Sequence, residues 1–254
     1  MMQNTPTLLR PPRLREGDTL GLFNPSGAIY ERAPYEIARE TMQALGFRVR
    51  EAPNLRARYG HMAGTPAQRA ADIHALFADP EVQGLLAVTG GSGANRVLPL
   101  LDYDLIARHP KFLGGFSDLT ALLTAVHVKT GLVTFHSPLA RSEWNAFSIE
   151  QFKAVAVQGL AHTMRNPVLA GDEPVAREGR ITTIRGGQAQ GPLAGGNLAV
   201  LTSLAGTPYW PRLDGAILFL EDVNEYVYRV DRMLSTLILS GALARVAGVV
   251  LGGF

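Results

Sequence analysis

Short apolar strand patterns alternate with amphipathic helix patterns through the first half of this 254-residue chain. Mostly apolar runs at 19–23 and 84–88 are typical of buried strands, whereas the segments at 35–45 and 66–77 repeat apolar residues at helical spacing. Strand–helix–strand connections join parallel strands. The alternation therefore predicts the α/β class, with a mostly parallel, Rossmann-like N-terminal sheet flanked by helices.

The pattern changes in the second half of the chain. Prolines and glycines interrupt any long element between residues 167 and 192, apart from a short strand that we expect at 181–184. Strand and helix patterns resume after this stretch. We therefore predict an N-terminal α/β domain over residues 1–165, a connector over 166–190, and a smaller, β-rich C-terminal domain over 191–254.

Charge and composition exclude several classes of function. The sequence pI is about 9.0, but the net charge is only +2 and the basic residues are scattered, so we expect no nucleic-acid partner. The chain has no cysteine, which excludes disulfides, thiolate zinc sites and a cysteine nucleophile. No two histidines stand at a metal-ligand spacing, so we expect neither a metal nor a cofactor.

The sequence also predicts no membrane partner. Residues 1–6 lack the basic segment and apolar run of a signal peptide, and no apolar stretch approaches the roughly 18 residues of a membrane span. We therefore expect a soluble protein of the cytoplasm.

Ser117 stands at a predicted strand-to-helix turn. A short apolar strand pattern before it ends in Gly114 and Gly115, and apolar residues at helical spacing begin at Leu119. Such a turn exposes the hydroxyl, while the unpaired N–H groups of the helix can stabilise an anion. These are the needs of a nucleophilic serine, which indicates a hydrolase. The alternative is that Ser117 is the N-cap of the helix, a position where serine is preferred.

A glycine-rich loop at 90–93 follows the strand predicted at 84–88. It lacks the G-x-G-x-x-G spacing and the lysine of phosphate-binding loops, so nucleotide binding has little support. Exposed backbone amides after a strand are what an oxyanion hole requires. Both this loop and Ser117 are expected beyond the carboxyl ends of the strands, where sites in parallel sheets lie. Ser92 is a weaker alternative nucleophile, because nothing in the sequence activates it.

Glu221 directly follows the apolar strand pattern at 216–220, so its carboxylate is expected to be partly buried and to need a partner. A histidine is the natural partner. His136, after a strand predicted at 132–135, is the one histidine expected beside the site, and its His-Ser-Pro turn favours a structural or substrate-contacting role. No histidine follows His162.

A series of short motifs occurs in a fixed order from about residue 10 onward: N-P-S-G at 24–27, A-G-T at 63–65, R-A-A-D at 69–72, G-G-S-G at 90–93, L-P-L-L-D-Y at 98–103, G-F-S-D at 115–118, H-S-P at 136–138, G-G-N-L at 195–198, G-T-P-Y at 206–209, L-F-L-E-D at 218–222 and Y-R-V-D-R-M-L at 228–234. This ordered set resembles the LD-carboxypeptidase family, serine peptidases of the muramoyltetrapeptide carboxypeptidase and microcin-immunity type.

The resemblance implies roles for five residues of this chain. Ser117 would be the nucleophile and Glu221 the acid of a Ser-His-acid triad, and the amides of Asp118, Gly90 and Gly91 would form the oxyanion hole. The implied reaction releases the terminal D-alanine of murein tetrapeptides, which follows an L-configured centre, during cell-wall recycling. The resemblance also implies a homodimer, with murein peptide as substrate.

The chain departs from the family pattern in two places. Thr89 and Ser92 stand around the glycine loop, where the family often has an arginine and an aromatic residue. The family's catalytic histidine lies in a segment after the strand that here ends at Leu251. The sequence stops at Phe254, before that segment, so we expect a truncated C-terminal domain and impaired catalysis.

Three other functions stay open on the sequence. Hydrolysis of a peptidyl acyl-adenylate, as in the microcin-immunity branch, keeps the family and changes the substrate. A naturally shortened protein would bind peptidoglycan fragments without cutting them. A nucleotide-binding domain would use the glycine loop.

Overall fold

A sheet of five parallel strands forms the N-terminal part of the molecule, in a computed structural model that describes residues 7–161, 163, 165 and 180–254. Its strand order is β2-β1-β3-β4-β5. The strands are β1 (Thr19–Phe23), β2 (Arg48–Glu51), β3 (Gly84–Ala87), β4 (Phe112–Gly115) and β5 (Phe135–His136). The α/β class with a parallel, helix-flanked sheet is thus confirmed.

Five helices connect and cover these strands: α1 (Ala33–Ala44), α2 (Pro66–Ala78), α3 (Tyr103–Arg108), α4 (Leu119–Thr130) and α5 (Ala146–Phe152), the last continuing as a π-helix over Lys153–Val157. Helix α2 begins with a capping box, in which the Thr65 hydroxyl accepts from the Gln68 N–H and the Gln68 side chain accepts from the Thr65 N–H. A threonine followed by a proline is therefore a sufficient local signal for this helix start.

The core lies on both faces of the sheet. All residues of β1, β3 and β4 are buried, as expected for central parallel strands covered by helices on each side. Helix α4 is buried along almost its whole length. The strand predicted at 132–135 is shorter than expected, because β5 begins at Phe135 and Leu132 makes only an isolated bridge to Leu9.

A second, smaller parallel sheet has the order β6-β7-β8. Its strands are β6 (Leu193–Asn197), β7 (Ile217–Glu221) and β8 (Gly248–Leu251), with helices α6 (Leu198–Thr202) and α7 (Val227–Leu239). Its own apolar cluster is formed by Leu198, Leu201, Leu213, Leu218, Leu220, Leu237 and Ala242.

The prediction of a strand at 181–184 is wrong. No strand forms there, and Ile181 and Ile184 are 58% and 84% exposed, so these apolar side chains lie at the surface rather than in the core of a sheet. Residues 166–179 of the predicted connector lie outside the described residues, as do residues 1–6, His162 and Met164. The boundaries of the two domains therefore stay a prediction. In the part of the chain that the structure describes, no helix combines the length and apolar character of a membrane span.

Candidate active site

Ser117 occupies a strained turn between β4 and α4. Its φ of 64° lies in the left-handed region, which residues with a Cβ rarely adopt. Residues held in this conformation often belong to functional sites. The N-cap position of α4 is Asp118, and the helix has no side-chain cap. The interpretation of Ser117 as an N-cap is therefore wrong, and its hydroxyl is half-exposed rather than engaged with the helix backbone.

The glycine loop lies against this turn. A Cβ added to Gly90 would stand 3.0 Å from Oγ of Ser117 and 3.7 Å from the backbone nitrogen of Asp118. Only a glycine allows the loop to approach the serine so closely. The Gly90 carbonyl in turn accepts a 3.0 Å hydrogen bond from the Gly27 N–H, and Gly91 has a φ of 116°. The structure therefore brings Gly90 close to Ser117 and Asp118, and Gly91 lines the same cleft as Ser117.

A cleft of about 550 Å³ opens in front of the serine. Its walls come from the turn after β1, the start of α1, the glycine loop and the segment after β5, and they include Tyr30, Glu31, Thr89, Phe116, Ser117, Leu139 and Arg141. Arg141 is the basic residue of this lining, and its guanidinium makes no hydrogen bond or ion pair within the described residues.

Arg69 lies beneath the same loop. It is only 1% exposed, and its Nη1 donates to the carbonyls of Pro25 and of Gly93, the latter at 2.9 Å. Burial lowers the pKa of Arg69, and the negative charge of Asp118 raises it in compensation. Asp118 is itself buried, and its Oδ2 accepts a 2.8 Å hydrogen bond from the N–H of Ala94.

Glu221 is the last residue of β7 and pairs in register with Asn197 of β6. Its Oε1 is buried and has no hydrogen-bond partner among the residues the structure describes. Burial raises the pKa of Glu221, the neighbouring charge of Asp222 raises it further, and a hydrogen bond from Asn197 lowers it. A buried carboxylate oxygen in this state is an acceptor for an additional N–H donor.

His136 is the histidine nearest to this region in the described chain. Its ring centroid lies 6.1 Å from that of Phe116 and 5.2 Å from that of Phe219, in edge-on contacts. The protein around the ring lowers the pKa of His136 to about 4, because desolvation disfavours the charged form. No histidine hydrogen-bonds to Ser117 or Glu221 within residues 7–161 and 180–254.

The described residues contain no group of three His, Cys, Asp or Glu side chains placed to hold a metal ion. The glycine loop leads into the 3₁₀ turns Ala94–Arg96 and Leu98–Leu100 rather than into an α-helix, whose N-terminus is what nucleotide loops use.

Comparison with known proteins assigns the family. The LD-carboxypeptidase N-terminal domain family matches residues 20–137, and the LD-carboxypeptidase C-terminal domain family matches residues 190–254. The chain belongs to the LD-carboxypeptidase family.

Individual relatives agree with this assignment. The "Probable murein peptide carboxypeptidase" of Bacillus subtilis (strain 168) is 34% identical over 245 residues, covering 96% of this chain and 75% of the relative. The microcin C7 self-immunity protein MccF of Escherichia coli is 30% identical over 275 residues, covering 99% of this chain and 79% of the relative. The crystal structure of an MccF-like protein from Bacillus anthracis superposes with a TM-score of 0.84 at 29% identity, covering 96% of this chain and 80% of that one.

Sequence reasoning missed two features of this LD-carboxypeptidase site. Arg69 stands on the buried side of α2 with Ile73 and Phe77, and a charged residue at apolar helical spacing is the signal that would have found it. The hydrogen bond between Thr120 of α4 and Asn197 of β6 has no such signal, because no local sequence pattern indicates that these two distant residues meet.

Proposed function

We propose that this chain is a serine carboxypeptidase that releases the terminal D-alanine of murein tetrapeptides during cell-wall recycling. The observation that carries the proposal is the close approach of Gly90 to the Ser117 hydroxyl on a left-handed turn at the start of α4. Membership of the LD-carboxypeptidase family and similarity to a protein named for murein peptides support the choice of substrate.

In the proposed reaction, Oγ of Ser117 attacks the carbonyl carbon before the terminal D-alanine. The N–H groups of Asp118, Gly90 and Gly91 stabilise the negative charge that develops on the carbonyl oxygen. A base takes the serine proton and returns it to the amine of the leaving D-alanine. Water then attacks the acyl-enzyme, and the serine is regenerated.

The base is proposed to be a histidine that donates its second N–H to Oε1 of Glu221. An unpartnered and buried carboxylate oxygen supports this role, because such an oxygen orients an imidazole and stabilises its charged form. That the base is a histidine of the family's histidine segment stays a prediction. It is tested by comparing turnover by this 254-residue chain with turnover by a longer form carrying the family's histidine segment. Equal turnover would contradict it.

A carboxypeptidase must also recognise the carboxylate at the end of its substrate. We assign this task to Arg141, which lines the cleft with Ser117 and whose guanidinium has no other partner in the described part of the chain. Arginine suits a carboxylate because two parallel N–H groups bond its two oxygens.

The test is release of D-alanine from a murein tetrapeptide by the longer form that carries the family's histidine segment, which serves as the wild type here and below, and by its Ser117→Ala variant. We expect the substitution to lower kcat by about 10³-fold or more, since the nucleophile is lost. Ser92→Ala is the matched control, because Ser92 is an exposed serine in the loop that faces Ser117 and should leave kcat within about twofold. Full activity of the Ser117→Ala variant would overturn the proposal. Loss of D-alanine release in Ser92→Ala, with release retained in Ser117→Ala, would identify Ser92 as the nucleophile and would also overturn it.

A second candidate is hydrolysis of a peptidyl acyl-adenylate. It is supported by the 30% identity to MccF, a microcin C7 self-immunity protein, over 99% of this chain. The same Ser117 and Glu221 would act, and only the leaving group would differ. Turnover of an aspartyl adenylate conjugate that exceeds D-alanine release would favour this candidate.

We further propose that the protein works in the cytoplasm as a homodimer, as the family resemblance implies. Light scattering on the purified protein tests the dimer, with a mass near 55 kDa expected for two chains of 27.3 kDa. A mass near that of one chain would contradict it.

A further inference from the structure

We propose that Arg69 is a positioning residue that holds the glycine loop against the Ser117 turn and so places the N–H groups of the oxyanion hole. This inference rests on the function proposed above. It assigns a catalytic consequence to a side chain that does not itself line the cleft.

The guanidinium of Arg69 joins two separate segments of the cleft wall. Nη1 donates to the Pro25 carbonyl, in the turn after β1, and at 2.9 Å to the Gly93 carbonyl, at the end of the glycine loop. Nη2 contacts Sδ of Met62 at 3.5 Å. Because Arg69 sits on α2, which packs on the sheet, these bonds tie both segments to a rigid element.

The loop is fixed at three successive points. Its first residue, Gly90, accepts a 3.0 Å hydrogen bond from the Gly27 N–H. Gly93 is held by Arg69, and the next residue, Ala94, donates at 2.8 Å to Oδ2 of Asp118. The third tie therefore ends on the residue whose own N–H is a proposed oxyanion donor.

Charge links Arg69 to the same turn. Arg69 and Asp118 are 1% and 6% exposed, and Asp118 is the group whose negative charge favours the charged form of Arg69 against burial. The two side chains share no hydrogen bond or ion pair among the described residues, so this attraction acts at a distance. Loss of Arg69 therefore frees the Gly93 end of the loop and also removes a favourable positive charge from the surroundings of Asp118.

Small displacements at this point have large effects on rate. Oxyanion donors act only when their N–H groups point at the position that the oxygen reaches in the transition state, and loss of one donor costs about 10²–10³ in kcat. Binding of the ground-state peptide depends less on these groups. The role is thus expected to appear in kcat rather than in KM.

The experiment compares Arg69→Met and Arg69→Lys with the matched control Arg96→Met. Arg96 is an exposed arginine just after the same loop, with no hydrogen bond or ion pair among the described residues. D-alanine release and thermal unfolding are measured for each. We expect Arg69→Met to lower kcat by about 10²-fold with KM within about threefold, and Arg96→Met to change neither. Arg69→Lys keeps the charge but lacks the planar fork, so it is expected to recover stability while kcat stays at least about tenfold low.

Two results would overturn the inference. One is a folded Arg69→Lys or Arg69→Met variant with wild-type kcat. The other is a loss of rate that matches the unfolded fraction, since a structural role alone would produce it.

Labelling of Ser117 by a fluorophosphonate separates this inference from the proposed function, because phosphonylation uses the same N–H donors but no murein peptide. A wild type that labels but releases no D-alanine contradicts the proposed function alone. In that case, slower labelling of Arg69→Lys than of the wild type still supports the role of Arg69, and equal labelling rejects it. A wild type that neither labels nor hydrolyses contradicts both.

Discussion

The backbone N–H of Asn197 donates a 3.0 Å hydrogen bond to the hydroxyl of Thr120. Thr120 lies in the first turn of α4, three residues after Ser117, and Asn197 is the register partner of Glu221. This hydrogen bond is buried, so water does not compete for its donor or its acceptor. One contact thus connects the helix that begins at the proposed nucleophile to the strand pair that ends at the proposed triad acid.

Glu221→Gln is expected to make the protein more stable and less active. Burial, and secondly the charge of Asp222, raises the pKa of Glu221 in the folded state, so the folded chain binds the proton more tightly than the unfolded chain does. Stability therefore falls as pH rises from the unfolded pKa of 4.5 through the raised folded value, and the penalty persists at neutral pH. Glutamine has no such penalty.

Thermal unfolding at pH 4 and at pH 7 measures this effect. The variant should have the higher Tm at pH 7, and the difference should shrink towards pH 4, while D-alanine release falls by about 10²-fold or more. Glu150→Gln, at an exposed position, is the control and should change neither quantity. A lower Tm for Glu221→Gln at pH 7 would contradict the account of its burial.

Gly90→Ala is expected to abolish most activity, because the new Cβ would stand 3.0 Å from both Oγ and Cβ of Ser117. The loop or the serine must move, at a cost in stability of about 1–3 kcal/mol. Gly186→Ala is the control, since a Cβ there meets nothing within 4 Å. Measurement of kcat/KM and Tm for both variants checks the prediction, and a Gly90→Ala variant with normal kcat/KM would show that the loop does not act at Ser117.

Arg141→Gln is expected to raise KM for peptides with a free terminal carboxylate. Hydrogen bonds to charged groups contribute about 1.5–3 kcal/mol, so KM should rise by about 10- to 100-fold. Arg10→Gln, an exposed arginine outside the cleft lining, should leave KM unchanged. The decisive comparison uses the same peptide with a terminal amide, on which wild type and Arg141→Gln should act equally slowly. If Arg141→Gln is also slower than the wild type on the amidated peptide, Arg141 does not act through the terminal carboxylate.

His136 is expected to make the fold sensitive to mild acid. Desolvation lowers its folded pKa from 6.5 to about 4, so the unfolded chain binds more protons between these two values. Stability contributed by His136 is therefore complete above pH 6.5 and is lost as pH falls towards 4. His136 is itself exposed at the surface, and its ring is shielded by edge-on contacts with Phe116 and Phe219, so His136→Gln should reduce the fall in Tm over this range only slightly. His109→Gln, at an exposed position, should not reduce it. An unchanged pH dependence in His136→Gln would contradict the low pKa.

Local patterns predicted most elements of the N-terminal sheet. The apolar runs predicted at 19–23 and 84–88 form β1 and β3. Thr65 and Pro66 mark the start of α2 as its N-cap and first residue. Predictions failed where an apolar run forms no strand of either sheet. Ile181 and Ile184 have strand character but are exposed, and Leu132 is buried in the core yet pairs with Leu9 through one isolated bridge rather than as part of a strand. A short apolar run becomes a strand only if a neighbouring strand can complete its hydrogen bonds.

The sequence by itself determined that Ser117 follows a strand, that the glycine loop follows another strand of a mostly parallel sheet, and that Glu221 stands at a strand end in the C-terminal part of the chain. Each of these facts depends on a few consecutive residues and on the rule that parallel strands end at one edge. Tertiary structure alone decided the 3.0 Å approach of Gly90 to Ser117, the burial of Arg69 between two loops, and the bond from Asn197 to Thr120. These contacts join residues from 24 to 77 positions apart, and only packing of the completed core sets their distances.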